Sequence, residues 1–146
     1  MTNVEVLRNF NLSYDIWLNQ IQRRNLPFEL GYPAIQFLAT CANFTKPVRV
    51  TDVVNTLQLD SSYASRLVKQ LVTIGYLTTK PLNVDGRAKE LIVTSFGQEL
   101  IAGYFHYVDK KLTVYLTKLS TKELEQLQQS IEVLQTFSIS NVNSYL

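Results

Sequence analysis

Apolar side chains recur at helical spacing after Asp60, and the recurrence stops at a glycine. Steps of three and four residues bring side chains to one face of an α-helix, and the stripe here is Ala64, Leu67, Val68, Leu71 and Ile74. Asp60 or Ser61 can cap the start of this helix, and Gly75 stands where a left-handed residue commonly ends one. The spacing therefore predicts a helix over 61–74 with one apolar and one polar face.

The polar face of this helix carries residue types that suit a DNA groove. It consists of Ser61, Ser62, Tyr63, Ser65, Arg66, Lys69 and Gln70. Hydroxyls donate to phosphate, Arg66 can reach a guanine edge with two hydrogen bonds, and Lys69 can serve as a point charge beside a phosphate. No acidic residue occurs between Ser61 and Pro81. Taken alone, the helix fits a DNA-reading surface and an ordinary soluble helix surface about equally well.

A short helix precedes this one. Thr51 is expected to cap a helix over 52–58, with Asp52 placed favourably against the helix dipole. The segment "QLD" is a tight connection to the next helix. A short helix, a tight turn and a second helix with a polar outer face together predict a helix-turn-helix.

Two short strands follow, joined by a charged tip. "YLTTKPL" and "ELIVT" are β-branched and apolar enough for strands, and "NVDGRAK" lies between them. Gly86 gives the turn backbone freedom, and Arg87 suits an arm that enters the minor groove. Asp85 is expected to hold Arg87 through an ion pair. The ribbon is therefore predicted to be a wing, although a plain polar hairpin tip is the alternative.

Four further helices are expected around this middle segment. Their predicted ranges are 4–24, 31–44, 96–118 capped by Ser95, and 121–138 capped by Ser120 with Glu123 three residues on. Hydrophobic residues make up 46% of the chain and charged residues 18%, a globular composition. The expected fold is mainly α with a small antiparallel β-wing (α+β), in a single domain over 1–146.

The positive charge of the chain is concentrated in its middle. The net charge is +2, yet residues 45–90 hold seven basic and four acidic side chains. A local basic surface is what binding to a polyanion requires. One cysteine and one histidine exclude an intramolecular disulfide, a cysteine-based zinc site and a histidine-rich metal site. The sequence also lacks a signal peptide and an apolar run of about 20 residues, so a cytoplasmic protein is expected.

Nothing in the sequence indicates catalysis. His106 lies in the middle of a predicted helix, the acidic residues cluster on helix surfaces, and no glycine-rich phosphate loop occurs. We therefore expect no enzyme activity, no cofactor and no metal.

The segment "VTDVVNTLQLDSSYASRLVKQLVTIGYLTTKPLNVDGRAKELIVTSFGQEL" resembles the DNA-binding core of the MarR family of bacterial winged-helix regulators. The matching features stand in order: "SSYASRLVKQL" as recognition helix, Gly75 before the wing, the D-x-R motif at Asp85 and Arg87, and the "VTSFG" ending. Thr79 departs from the family, which usually has a basic residue there, but Lys80 follows at once. The flanking helices match the family's layout, so the resemblance extends over essentially the whole chain.

The resemblance implies a homodimeric transcriptional repressor that binds a pseudo-palindromic double-stranded DNA operator. It divides the chain into a winged helix-turn-helix lobe at 45–95 and dimerisation helices at 1–24 and 96–146. The implied DNA-binding residues are Thr51, Ser61, Ser62, Tyr63, Ser65, Arg66, Lys69, Gln70, Lys80, Asp85, Arg87 and Lys89. The implied dimer interface contains Leu7, Phe10, Leu127, Ile131, Leu134 and Phe137. The long apolar stripe of 121–138 agrees with a dimer; helices that only close a monomeric bundle are the alternative.

Family members often respond to a small aromatic compound. The residues expected to line such an effector pocket here are Trp17, Phe28, Tyr32, Tyr104 and Phe105, although ordinary aromatic core explains each of them as well. Cys41 lies in an apolar helix, and an apolar setting makes a thiol inert. We expect a structural cysteine there. The alternative function is a winged helix that binds proteins and has lost DNA binding.

Overall fold

The computed structural model describes residues 1–137, in which six α-helices accompany one two-stranded sheet. The expected fold class, mainly α with a small antiparallel β-wing, is confirmed. The elements in chain order are α1 (Asn3–Leu18), a π-helical turn (Asn19–Arg23), α2 (Tyr32–Asn43), α3 (Val50–Leu57), α4 (Ser61–Ile74), β1 (Leu77–Pro81), β2 (Lys89–Val93), α5 (Ser95–Leu116) and α6 (Thr121–Gln135).

The first helix begins as a capped α-helix and ends differently from the prediction. The Thr2 hydroxyl accepts the backbone N–H of Glu5 at 3.2 Å, and the Glu5 carboxylate accepts the N–H of Thr2 at 2.7 Å. The prediction of one regular helix over 4–24 is wrong after Leu18. There the backbone widens into the π turn, in which the N–H of Arg24 donates to the carbonyl of Asn19 at 3.0 Å.

Helix α2 lies at the centre of the core. Gly31 caps it in an extended conformation and Pro33 occupies its first turn, as predicted. It packs against α3, α4 and β2. Its buried side chains are Ala34, Ile35, Phe37, Leu38 and Cys41.

Two predicted N-caps are wrong by one or two residues. Helix α3 begins at Val50, so Thr51 lies within its first turn; Arg49 is the extended cap, and its N–H donates to Asp52 at 2.8 Å. Helix α5 begins at Ser95, and the hydroxyl that accepts from its first turn belongs to Thr94, at 3.1 Å from the N–H of Gly97. At α3 the upstream residue, Arg49, has the extended backbone that is typical of a cap.

Helix α6 begins with the predicted capping box. The Ser120 hydroxyl accepts the N–H of Glu123 at 3.3 Å, and the Glu123 carboxylate accepts the N–H of Ser120 at 2.8 Å. The helix ends at Gln135 rather than at 138, and residue 138 lies outside the described residues.

The chain divides into two compact units, Met1–Val108 and a second that begins at Asp109. Among residues 1–137, the buried apolar side chains all belong to the first unit. The second unit contains α6, which has no buried residue. The functional division into a lobe at 45–95 and dimerisation helices at 1–24 and 96–146 stays a prediction, and the last nine residues of its final range lie outside the described residues.

Candidate nucleic-acid interface

The helix-turn-helix is built by α3, a left-handed residue and α4. Gln58 ends α3 with a φ of 54°, and the next N–H, from Leu59, donates to the carbonyl of Val54 at 3.1 Å. The Asp60 carboxylate then accepts the N–H of Tyr63 at 2.9 Å and caps α4. This carboxylate satisfies a free donor and also opposes the positive end of the helix dipole.

The faces of α4 are sorted as the sequence predicts, with three intermediate positions, Tyr63, Val68 and Ile74. Ala64, Leu67 and Leu71 are buried, and Val68 is half-buried. Tyr63 is also half-buried, whereas the other predicted groove residues are exposed: Ser61, Ser62, Ser65, Arg66, Lys69 and Gln70. Thr51, in the first turn of α3, is exposed as well. An apolar side therefore anchors the helix and leaves a polar side open to a ligand.

Arg66 is oriented by a contact on its own helix. Its guanidinium carbon lies 5.7 Å from the centre of the Tyr63 ring, three residues earlier. This separation is within the range of a cation–π interaction. Tyr63 therefore acts as a support that limits the freedom of the arginine, a role that the sequence alone did not indicate.

The ribbon after α4 has a regular antiparallel register. Leu77 pairs with Val93, Lys80 with Glu90 and Pro81 with Lys89. The N–H of Leu91 donates to the carbonyl of Val48 at 2.8 Å, so the segment before α3 is attached to β2. The base of the ribbon is thus joined to the helix-turn-helix, while its tip projects freely.

The tip is a tight turn that presents an arginine. The N–H of Gly86 donates to the carbonyl of Asn83 at 3.1 Å, and Gly86 has a φ of 68°, which favours glycine. Asp85 accepts the backbone N–H of Arg87 at 3.1 Å, and its carboxylate lies 3.9 Å from the Arg87 guanidinium. The expected ion pair is therefore present. The Arg87 side chain is 89% exposed and can contact a partner.

Thr94 and Tyr76 fix the wing to α5. The Thr94 hydroxyl donates to the carbonyl of Gly75 at 2.6 Å, and its N–H donates to the carbonyl of Tyr76 at 3.1 Å. The Tyr76 ring stacks on Phe96, with 4.5 Å between ring centres. Burial, the hydrogen bond to the Glu29 carboxylate and the charge of that carboxylate together raise the pKa of Tyr76 to about 12.

Several residues of the predicted effector pocket form one aromatic cluster. Ring centres of Phe28 and Tyr104 lie 6.3 Å apart, as do those of Tyr32 and Tyr104, and Phe105 lies 5.7 Å from Tyr104. Trp17 instead contacts Tyr14, at 5.7 Å. The cluster therefore brings together four of the five predicted residues, and Phe105 is largely exposed.

Two polar residues in this cluster have no counterpart in the sequence prediction. The Tyr104 hydroxyl donates to the carbonyl of Gln22 at 3.0 Å. Arg23 forms an ion pair with Asp15 at 3.0 Å, and its guanidinium carbon lies 5.4 Å from the centre of the Tyr32 ring. The π turn determines the positions of both Gln22 and Arg23. The spacing of apolar residues does not predict such a turn.

Burial governs the ionisation of the groups in this region. The pKa of Tyr104 is raised to about 12, chiefly by burial and also by the charge of Tyr32, against the opposing charge of Arg23. Burial also raises the pKa of the Cys41 thiol to about 12. Both groups are therefore neutral near pH 7.

The predicted dimer-interface residues are apolar and open to solvent. In the first unit, Leu7 and Phe10 are 38% and 41% exposed, and no residue of α1 is buried. In the second unit, Leu127, Ile131 and Phe137 are exposed and Leu134 is half-buried. The predicted interface residues therefore give each unit an exposed apolar face.

Residues 1–137 contain no group of three or more histidine, cysteine, aspartate or glutamate side chains that could hold a metal ion. The same residues include no helix with the length and apolarity needed to cross a membrane. His106 is exposed.

Solved structures share this fold. Wild-type MarR from E. coli in its apo form has a TM-score of 0.74 and 18% identity, over 92% of this chain and 96% of that chain. RV1404 from Mycobacterium tuberculosis has a TM-score of 0.79 and 15% identity, over 93% and 94%. MepR, a transcription regulator of the Staphylococcus aureus multidrug efflux pump MepA, has a TM-score of 0.65 and 18% identity, over 93% and 98%.

No protein-family model and no curated protein sequence matches this chain. The similarity of the three solved structures extends over more than nine-tenths of the chain. It confirms the MarR-like fold that the sequence predicts.

Proposed function

We propose that this chain is a sequence-specific, double-stranded DNA-binding transcriptional regulator that acts as a homodimeric repressor on a pseudo-palindromic operator. One observation carries the proposal: an exposed polar face on α4 and an exposed arginine at the tip of the wing belong to the same lobe. In the proposed complex, α4 lies in the major groove and Arg87 enters the adjacent minor groove.

The fold supports this reading, since MarR and MepR share it and MepR is a transcription regulator. The charge of the lobe supports it too, because the polar face of α4 carries Arg66 and Lys69 and no acid. Arg66 is the residue proposed to read a base edge, and Lys69 a residue that contacts phosphate. The remaining DNA contacts are proposed for Lys80, Lys89 and the hydroxyls at the start of α4.

The homodimer is proposed from the exposed apolar faces of α1 and α6. A two-fold dimer would set two recognition helices about 34 Å apart, one turn of DNA. This spacing predicts an operator with two related half-sites.

A small-molecule effector is the remaining part of the proposal. The aromatic cluster of Phe28, Tyr32, Tyr104 and Phe105 supports a flat aromatic compound as the effector class. A MepR structure with bound ethidium bromide shares the fold, with a TM-score of 0.60. Binding at this cluster would release DNA by favouring a different separation of the recognition helices.

The proposal is tested by fluorescence-anisotropy titration against genomic fragments at two salt concentrations. A salt-sensitive, sequence-selective complex with one dimer per site is the expected result. Absence of binding at low salt, from a folded and dimeric protein, would favour the alternative of a protein-binding winged helix.

Variants assign the contacts once an operator is known. Arg87→Ala should weaken operator binding by about 1–3 kcal/mol, because it removes the minor-groove arm. Lys69→Ala should weaken all sequences alike and reduce the salt slope by about one unit. Lys122→Ala removes the same charge from α6 and serves as the control. Unchanged affinity of Arg87→Ala at fixed salt would contradict the role of the wing.

A further inference from the structure

Tyr76 stands where the recognition helix, the wing and α5 meet. It follows Gly75, whose left-handed backbone (φ 98°) ends α4, and it directly precedes β1. Its carbonyl accepts the N–H of Thr94, and its ring stacks on Phe96 in the first turn of α5. The side chain is only 4% exposed. A change in the orientation of Tyr76 would therefore change the direction in which the ribbon leaves α4.

The hydroxyl of Tyr76 is held from outside the DNA-binding lobe. It donates a hydrogen bond to the carboxylate of Glu29, which is 47 residues earlier in the chain. Glu29 lies in the loop between the π turn and α2. It belongs to neither the helix-turn-helix nor the wing, and no DNA contact is proposed for it.

The loop that carries Glu29 is itself anchored. The preceding residue, Phe28, lies edge-on to Tyr104 and to Tyr107, with ring centres 6.3 and 6.0 Å away. The following residue, Leu30, is 2% exposed. Apolar contacts on both sides therefore fix the backbone at Glu29, so that its carboxylate can hold Tyr76 in one place.

Hydrogen bonds to an ionised acceptor are among the stronger ones in proteins. Because the Tyr76 ring is buried, few other hydrogen-bond acceptors lie within reach of its hydroxyl. The bond to Glu29 therefore favours one orientation of Tyr76. The orientation is passed to the ribbon through the backbone of residues 75–77.

We propose that Glu29 is a positioning residue for DNA recognition: through the Tyr76 hydroxyl it fixes the wing relative to the recognition helix, and so sets the distance between Arg66 and Arg87. This inference depends on the proposed DNA-binding function. It adds to it a residue distant in sequence from every proposed DNA contact.

The sign of the effect separates positioning from simple electrostatics. Removing an acidic side chain makes the protein more positive and should by itself tighten DNA binding. If Glu29 positions the wing, Glu29→Ala should instead weaken operator binding, by about tenfold for the loss of one charge-assisted hydrogen bond. Glu99→Ala removes the same charge from the exposed surface of α5 and should bind as well as the wild type or more tightly.

Conservative variants test whether the hydrogen bond carries the effect. Tyr76→Phe keeps the stacked ring and loses the hydroxyl, so it should weaken binding about as much as Glu29→Ala. The double variant should be no weaker than either single one, because both remove the same bond. Glu29→Gln keeps an acceptor but loses the charge, so it should bind more tightly than Glu29→Ala and restore most of the lost affinity.

A second double-mutant cycle tests whether Glu29 affects DNA binding through the wing. In an Arg87→Ala background, Glu29→Ala should change affinity by less than about twofold, since the arm that it positions is gone. A merely structural role would lower affinity by the same factor in both backgrounds. Additive effects in this cycle would therefore overturn the inference while leaving the proposed DNA binding intact.

A measurement without DNA keeps the inference testable if no operator is found. Hydrogen exchange of the amides in β1 and β2 should accelerate severalfold in Glu29→Ala and Tyr76→Phe, and not in Glu29→Gln. Exchange in α2 should stay unchanged in all three variants. Unchanged exchange in the two strands would overturn the positioning role, whatever the outcome of the DNA titrations.

Discussion

Replacing Gly97 with alanine should destabilise the fold strongly, although the position is helical. Gly97 lies in the first turn of α5 and is buried. A Cβ atom added there would lie 2.3 Å from the carbonyl oxygen of Tyr76 and 2.9 Å from Cγ1 of Val93. The first of these atoms is backbone, so it cannot move aside by a change of rotamer.

The cost follows from what must move. Ordinary van der Waals contact begins at about 3.4 Å, so the Tyr76 carbonyl and α5 must separate by about 1 Å. Overpacking of this kind costs about 1–3 kcal/mol. The same carbonyl accepts the N–H of Thr94, and losing that bond adds about 1 kcal/mol. We expect Gly97→Ala to lower the free energy of unfolding by about 2–4 kcal/mol, a large share of the stability of an ordinary domain.

Gly103 in the same helix provides the matched control. A Cβ atom there would lie 3.7 Å from Cε1 of Phe28, an ordinary contact. Alanine is favoured over glycine in a helix interior by about 1 kcal/mol. Gly103→Ala should therefore raise the free energy of unfolding by up to about 1 kcal/mol, a change opposite in sign to that at Gly97.

The measurement is equilibrium unfolding in urea, followed by circular dichroism at one protein concentration for all variants. With a slope of about 2 kcal/mol per molar urea, Gly97→Ala should lower the midpoint by about 1–2 M. Equal slopes would show that stability rather than the unfolded state has changed. A Gly97→Ala midpoint within 0.3 M of the wild type, roughly the error of such an extrapolation, would refute the close approach of α5 to Tyr76.

Two further predictions concern α4 and the cysteine. Asp60→Ala should lower the free energy of unfolding by about 1 kcal/mol, because the N–H of Tyr63 loses its cap. Asp60→Asn keeps an acceptor and should lower the free energy of unfolding far less. Equal decreases for the two variants in urea unfolding would argue against the cap. Burial raises the pKa of Cys41 from 9.0 to about 12. Between these two values the folded state keeps the proton that the unfolded state loses. The contribution of Cys41 to the free energy of unfolding is therefore complete below pH 9 and is lost as the pH rises towards 12. Iodoacetamide at pH 8 should not label Cys41 in the folded protein but should label it in the protein unfolded by urea. Cys41→Ser serves as the control without a thiol. Rapid labelling of the folded protein would contradict the burial of Cys41.

The sequence predicts the helix-turn-helix and the ribbon well because their signals are local. The cap at Asp60, the left-handed Gly75 and the turn at Gly86 each act within a few residues. The apolar stripe of α4 also determines which of its residues remain exposed. The predicted roles of those residues in DNA binding remain a proposal that needs the titrations above.

The features that the sequence did not predict depend on contacts between distant segments. Ser95 and Thr94 both carry hydroxyls, and Thr94 is the cap because the carbonyls of Gly75 and Tyr76 accept its O–H and N–H. The bond from Tyr76 to Glu29 spans 47 residues, and no spacing rule reaches that far. Local sequence patterns cannot show whether Thr94 or Ser95 caps α5, because contacts with distant segments decide between them.

The π turn at Asn19–Arg23 has a consequence for how this chain can change over time. A π turn holds one more residue than an α turn, and each residue rotates an α-helix by about 100°. Deleting any one of residues 19–22 would therefore turn Arg23 away from Asp15, its ion-pair partner. A substitution leaves the residue count of the turn intact. A single-residue deletion would therefore disturb the contact between Arg23 and Asp15 more than a substitution that leaves these two residues in place.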